Sequence, residues 1–128
     1  MRSDIDMFSG REVDVMNALW ELGSATVSEV QENLSDPLAY TTVQTLLSRL
    51  EEKGRVRHEV DGKAHRYFAC VHLEEAQDNA LQRVTRKLFA GSPPLVMARL
   101  LTNGGFTEEQ LRELRNLLDR RLRERGEE

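Results

Sequence analysis

What most constrains the fold is how closely helix start and stop signals follow one another between Ser9 and Gly54. Ser9, with Glu12 three residues on, fits a capping box, in which the hydroxyl takes an orphan N–H of the first turn and the carboxylate reaches back to the cap's own N–H. Val13, Met16, Leu19 and Trp20 then recur at helical spacing, and the run stops near Gly23. Thr26 and Glu29 make a second box, and Val27, Val30 and Leu34 form a short apolar stripe that Ser35-Asp36-Pro37 ends. A third helix opens near Tyr40 and carries Val43, Leu46, Leu47 and Leu50 inward, with Gly54 as its stop. Three short helices in such succession predict a helix-turn-helix unit. Next, "VRHEVDGKAHRYFA" alternates on both sides of Asp61-Gly62, a strong two-residue hairpin signal. The expected fold class is therefore mainly α with a small antiparallel β-hairpin, a winged helix-turn-helix domain over residues 1–71.

Residues 72–128 read as a separate helical region. An amphipathic helix over residues 73–89 aligns Leu81, Val84 and Leu88, and Gly91-Ser92-Pro93-Pro94 interrupts it before a short apolar stretch at 95–101. After Asn103-Gly104-Gly105, Thr107 and Gln110 cap a last helix striped with Leu111, Leu114, Leu117, Leu118 and Leu122. So few helices cannot easily bury that much leucine by themselves. They either cover the winged domain or pair with a second copy about a twofold axis, and the punctuation at Gly91 and Gly104 favours the second. Leu81, Leu88, Leu111, Leu114 and Leu118 are the expected dimerisation residues, and a homodimer is the expected assembly.

Size and composition narrow the function. A chain of 128 residues holds one ordinary core or two small subdomains, and is too short for most enzymes with separate cofactor and substrate domains. With 39% hydrophobic and 31% charged residues, and no apolar run near the roughly 18 residues of a membrane span, it reads as a soluble globular protein. Residues 1–8 have neither the basic start nor the apolar stretch of a secretory signal, so the cytoplasm is the expected location. The lone Cys70 has no disulfide partner and no CxxC motif. No nucleophile elbow, HExxH or phosphate-binding glycine loop occurs, so catalysis and cofactors are not expected.

The net charge of −4 by itself argues against a nucleic-acid partner, but its distribution does not. Residues 39–67 hold Arg49, Lys53, Arg55, Arg57, Lys63 and Arg66 against four acids, whereas residues 1–38 hold two arginines against eight acids. The third helix also opens unusually. Thr41, Thr42, Gln44 and Thr45 fill its first turns, where a purely structural helix favours better helix formers than threonine.

Three segments carry a resemblance. "EVDVMNALWELGSATVSEV", "TTVQTLLSRLEEKGRVRHEVDGKAHRYF" and "FTEEQLRELRNLL" are similar to the BlaI/MecI penicillinase repressor family of bacterial transcription regulators, over residues 9–122. The tryptophan ending helix one, the TTVxTxLxRLxxKG pattern and the DG(K/R)xxRY wing occur in the family's order and spacing. The resemblance implies a winged-helix domain that binds an inverted-repeat operator in double-stranded DNA as a homodimer, with C-terminal helices forming the dimer. Relatives control β-lactam resistance, and a copper-responsive branch controls copper export.

The family's DNA-contacting positions fall on Thr41, Thr42, Gln44 and Thr45, although some relatives carry basic residues at the first and third. In a helix-turn-helix these turns enter the major groove, where a threonine can meet a phosphate or a thymine methyl and a glutamine amide can pair with adenine. The bland alternative is that Thr41 or Thr42 only caps the helix. Arg49 either reaches a phosphate or pairs with Glu52 along the helix. Arg57, Lys63 and Arg66 lie on or beside the wing tip, where the resemblance implies that the wing meets the DNA backbone. If Asp61-Gly62 is the turn, Arg57 stands opposite Arg66, and two like charges so placed repel unless an anion such as a phosphate lies between them. The alternative is a solvated, charge-rich edge. The same register sets His58 opposite His65, with Cys70 and His72 further on, but no further ligand converges, and ordinary surface histidines are expected rather than a metal site. The paired C-terminal cysteines of the copper-responsive branch are missing.

The rival function is a winged-helix module that binds protein rather than DNA, which predicts apolar residues on the outer face of the third helix; Thr41, Gln44, Thr45 and Ser48 are polar. The resemblance also implies a regulatory partner, a protease or an inducer. In antibiotic-responsive relatives a protease cuts an Asn-Phe bond in the dimerisation region, and alignment of "LVMARLL" puts Ala98-Arg99 there, so no cut is expected at that place.

Overall fold

The computed structural model describes residues 8–126, and the reading of residues 1–7 lies outside them. Its elements run α1 (Gly10–Leu22), β1 (Ala25–Thr26), α2 (Val27–Asn33), α3 (Tyr40–Glu52), β2 (Val56–Asp61), β3 (Ala64–Ala69), α4 (Leu73–Leu88), α5 (Pro93–Asn103) and α6 (Glu108–Gly126). The chain divides into two compact units, Met1–Val84 and Thr85–Glu128, with the division inside α4.

In the first unit, both capping boxes form. Ser9 Oγ accepts the Glu12 N–H at 3.3 Å while Glu12 Oε1 accepts the Ser9 N–H at 2.9 Å, and Thr26 and Glu29 repeat the exchange at 3.2 and 3.0 Å. The core is one cluster: Val15, Met16, Ala18 and Leu19 of α1, Ala25, Val27 and Val30 of β1 and α2, Val43, Leu46, Leu47 and Leu50 of α3, and Val56 and Tyr67 of the sheet. Each fully buried leucine here stabilises the fold by about 1.5–3 kcal/mol relative to an exposed one. Val13 is a correction to the helical stripe, since it is exposed while Val15 and Ala18 are buried. Glu12 is also on the inward side of α1, 3% exposed, and takes the Lys53 ammonium on both carboxylate oxygens at 3.0 Å. Burial opposes the charge on Glu12, but the Ser9 N–H and Lys53 outweigh it and hold the carboxyl below its ordinary range. The Trp20 indole N–H donates to the Val71 carbonyl at 2.8 Å, which fastens the chain leaving β3 to α1.

The sheet has three antiparallel strands in the order β1-β3-β2, where the sequence led to two. β1 is only two residues long and exists through its pairing with β3, Ala25 with Tyr67 and Thr26 with Arg66. The hairpin register is also a correction. Asp61 pairs with Ala64, so Gly62-Lys63, not Asp61-Gly62, forms the two-residue turn, and every partner shifts by two. Gly62 has φ 64° and Lys63 does not have positive φ. That combination suits a type II′ turn, whose first central position asks for glycine, rather than the type I′ turn that Asp-Gly would make. A shift of two leaves each side chain on its original face of the sheet but changes what it meets.

In the second unit, the break expected at Gly91-Ser92-Pro93-Pro94 separates α4 from α5; Pro93 and Pro94 themselves begin α5, where a missing N–H costs nothing, and Ser92 caps it by accepting the Leu95 N–H at 3.2 Å. Thr107 and Gln110 form the expected box before α6, at 2.9 and 3.1 Å. No residue of α5 or α6 is buried, and Leu118 and Leu122 of α6 are 59% and 68% exposed.

Candidate nucleic-acid interface

α3 differs from α1 and α2 at its N-terminus. Its N-cap is Ala39, with φ −66° and ψ 150°, and no side chain caps it. The first turn contains no acid, whereas α1 and α2 each place a glutamate there. Val43 N–H is the first to bond within the helix, to Ala39 O at 3.0 Å. The N–H groups of Tyr40, Thr41 and Thr42 therefore point out of a helix end that carries partial positive charge, the arrangement that receives an anion. This also disposes of the capping alternative for Thr41 and Thr42, which occupy the first turn rather than the cap.

Four apolar side chains fix which face of α3 is presented. With Val43, Leu46, Leu47 and Leu50 buried, Thr41, Gln44, Thr45, Ser48 and Arg49 are exposed and Thr42 is half-buried. Thr45 Oγ1 donates to the Thr41 carbonyl at 2.9 Å. Its proton is thus engaged, and the hydroxyl offers acceptor lone pairs and a methyl outward. Among the described residues Gln44, which is exposed, has no hydrogen-bond partner for its amide, whose donor and acceptor suit bidentate pairing. Tyr40, passed over in the sequence, stands 46% exposed beside Thr41, and its signal was an aromatic at the first position of a helix whose apolar stripe begins three residues later.

The cations fall into two sets. Arg49 and Lys63 are exposed and make no ion pair among the described residues; the Arg49–Glu52 pair weighed from the sequence does not form. The two other predicted contacts, Arg57 and Arg66, are engaged. Arg57 pairs with Glu59 at 2.7 Å and lies over the Phe68 ring at 4.3 Å. Arg66 donates from Nε to Asp61 at 2.9 Å and from Nη1 to Ser24 at 3.3 Å, and pairs with Glu29 at 3.2 Å. The Asp61 contact, and then Glu29, raise the pKa of Arg66, while the Thr26 N–H and Arg66 lower that of Glu29. Arg57 does not face Arg66: Phe68 is its cross-strand partner, and Arg66 faces Glu59. Each guanidinium is paired with carboxylates of its own, Arg57 with Glu59 and Arg66 with Asp61 and Glu29.

His58 pairs across the sheet with Tyr67, yet the even register shift keeps His65 on its face, and the two imidazoles stack at 4.2 Å with an interplanar angle of 14°. His58 Nδ1 lies 2.7 Å from Glu51 Oε2 at the end of α3. Among the described residues no group of three or more His, Cys, Asp or Glu side chains is placed to hold a metal ion. Cys70 is exposed, and no described helix is long and apolar enough to cross a membrane.

Comparison with known proteins agrees with this geometry. The chain is 23% identical over 115 residues to the methicillin resistance regulatory protein MecI of Staphylococcus aureus (strain N315), covering 88% of this chain and 94% of that one. It is 49% identical over 61 residues to the transcriptional regulator BlaI of Mycobacterium tuberculosis, covering 45% and 44% of the two chains. Among solved structures, the DNA-binding domain of the repressor BlaI superposes with a TM-score of 0.50 at 30% identity, over 56% of this chain and 89% of that domain. The penicillinase repressor family model matches residues 8–120, so this winged-helix chain belongs to that family of DNA-binding transcriptional repressors, which is not an enzyme class.

Proposed function

We propose that this chain represses transcription by binding an inverted-repeat operator in double-stranded DNA as a homodimer, in the cytoplasm. α3 enters the major groove with Thr41, Thr42, Gln44 and Thr45 toward the base edges, its open N-terminus takes a phosphate, and Arg49, Arg57 and Lys63 meet the backbone. Arg57 does so after exchanging Glu59 for phosphate. The observation that carries the reading is the uncapped, acid-free and polar N-terminus of α3 in a family member. The other two helices of the helix-turn-helix complete their caps with their own glutamates, and this one leaves its donors for a partner.

The dimer is assigned to the region over residues 72–128, through Leu81, Leu88, Leu111, Leu114 and Leu118. On α6, Leu111, Leu114 and Leu118 recur at intervals of three and four residues, so they lie on one helix face, and Leu111 and Leu118 are exposed in the lone chain. A second copy of the same helix offers the matching apolar stripe that twofold pairing needs. The protein-interaction alternative asks for apolar side chains on the outer face of α3, and that face is polar except for Tyr40 at its start. A regulatory partner, a protease or an inducer, completes the reading; Ala98-Arg99 lies within α5 and offers no Asn-Phe bond.

The test is selection of bound sequences from a random DNA pool by the purified protein. Enrichment of an inverted repeat with half-sites about one helical turn apart supports the reading. Absence of any enriched motif transfers it to the protein-interaction alternative.

A further inference from the structure

We propose that Arg66 is the positioning residue of the wing, which it clamps onto the helix-turn-helix, and is not itself a phosphate contact. The inference rests on the reading that α3 and the wing bind DNA together. The wing is a two-stranded projection ending at Gly62-Lys63, and Lys63 sits at its tip with no ion pair among the described residues. For Lys63 and α3 to meet one DNA face, the hairpin needs a fixed angle to the helices. Two-stranded ribbons are marginally stable and twist readily when nothing else holds them.

Arg66 supplies that hold from the central strand. Its backbone pairs with Thr26 of β1 on one side and Glu59 of β2 on the other. Its guanidinium takes Asp61, the last residue of β2 before the turn, through Nε, and Glu29 and Ser24 through Nη1. Glu29 Oε1 simultaneously accepts the Thr26 N–H that closes the α2 capping box. One planar group thus joins the wing tip, the first turn of α2 and the residue leading into β1. With two carboxylates and a hydroxyl around it, Arg66 presents little uncompensated charge to a phosphate, and a phosphate approaching it would face Asp61 and Glu29.

The chemistry of the fork makes the two roles separable. A phosphate contact is served well by lysine, a compact point charge, whereas a group that must donate in fixed directions to partners on different elements is not. The experiment is operator binding across a salt series by the full chain and by Arg66→Lys, Arg66→Met, Lys63→Ala and the two double variants, with thermal melting of each. Expected results are that Lys63→Ala lowers the salt slope by about 0.9 per half-site in the wild-type background. In the Arg66→Met and Arg66→Lys backgrounds the same change has little further effect, because the wing no longer holds its tip on the DNA. Arg66→Lys and Arg66→Met should match in affinity to within about twofold, the ordinary limit of additivity. Should Arg66→Met fail to fold, Arg66→Lys and Asp61→Asn give the same comparison.

Retention of near wild-type affinity and slope by Arg66→Lys, or a full and additive Lys63→Ala effect in the Arg66→Met background, overturns the clamp and makes Arg66 a phosphate contact. Failure of the wild-type chain to bind selected DNA, or no effect of Lys63→Ala on the wild-type slope, overturns the DNA reading of the wing and this inference with it.

Discussion

Ala39 offers a perturbation in which stability and function should move in opposite directions. The residue is exposed and takes N-cap dihedrals, φ −66° and ψ 150°, close to those of Ser9 (−74°, 170°) and Thr26 (−81°, 169°), which cap α1 and α2 with their side chains. An aspartate at this position can therefore accept an N–H of the α3 first turn without backbone change. Replacing alanine by a capping residue stabilises a helix by typically about 1 kcal/mol, which for a unit of this size is about 4–8 °C in Tm. The same carboxylate would occupy the donors assigned to a DNA phosphate and put a negative charge where the phosphate must come. Loss of one hydrogen-bonded charged contact is worth about 1.5–3 kcal/mol, or roughly ten- to a hundredfold in affinity per half-site. Ala39→Ser separates the two effects, because a hydroxyl fills the cap without adding charge.

Thermal unfolding and operator titration of Ala39→Asp and Ala39→Ser are the assays. Both variants should melt higher, and Ala39→Asp should bind DNA far more weakly than Ala39→Ser. If Ala39→Asp melted higher yet bound operator as wild type, the phosphate assignment at the α3 N-terminus would be wrong. If neither variant gained stability, the N-terminus is already satisfied and the premise itself fails. An alanine at the cap is otherwise a poor choice for the fold, and proteins commonly accept such local losses at functional positions.

Gln44→Ala or Thr45→Ala should lower discrimination between operator and random DNA by roughly 1–3 kcal/mol while the far-UV spectrum and melt stay unchanged; equal loss on both DNAs would assign these side chains to the backbone. Leu118→Glu should turn the dimer into a monomer and abolish cooperative half-site occupancy, and a dimer persisting in sedimentation would move the interface elsewhere. Lys53→Met should cost on the order of 1–3 kcal/mol at neutral pH by stranding the Glu12 carboxylate. Because the folded state holds the Glu12 pKa below its unfolded value, the pair stabilises above that unfolded value and its contribution is lost as pH falls through the folded one. The difference between Lys53→Met and wild type should accordingly shrink in acid, and a difference independent of pH would deny the pair its role.

What the sequence made legible was local. A capping box spans three residues and an apolar stripe spans one helix, so the starts of α1, α2 and α6, and the inward residues of α3, could be read directly. The polar outer face of α3 followed from the same stripe. β1 could not be read, since two residues, Ala25 and Thr26, carry no periodicity and become a strand only by meeting β3 forty residues on. The hairpin register failed for a related reason. Asp61-Gly62 and Gly62-Lys63 are both two-residue loops around the same glycine, and because they differ by an even shift, the hydrophobic alternation does not distinguish them. That error propagated to the site: Arg57 and Arg66 looked like a like-charge pair awaiting phosphate, when Glu59 and Asp61 of the same hairpin, and Glu29 from α2, already neutralise them. The Glu12–Lys53 pair, whose members are 41 residues apart, was invisible for want of any local rule.

The engaged cations bear on how such a repressor lets go of DNA. Between residues 39 and 67, Lys53, Arg57 and Arg66 are held by carboxylates, and Arg49 and Lys63 are the exposed cations without an ion pair among the described residues. With Arg57 added once it exchanges Glu59 for phosphate, three phosphates neutralised per protomer give a salt slope of about −3, and a dimer about −5. A chain of net charge −4 has little general attraction to compensate, so a monomer on a half-site should be weak at moderate salt, and tight binding must come from engaging both half-sites at once. A signal that opened the dimer would then release the operator without touching α3 or the wing. The prediction is a measured slope near about −5 for the dimer; a slope near about −10 would mean that Arg66 too exchanges its carboxylates for phosphate, together with further cations, and that dissociation of the dimer alone is not a sufficient switch.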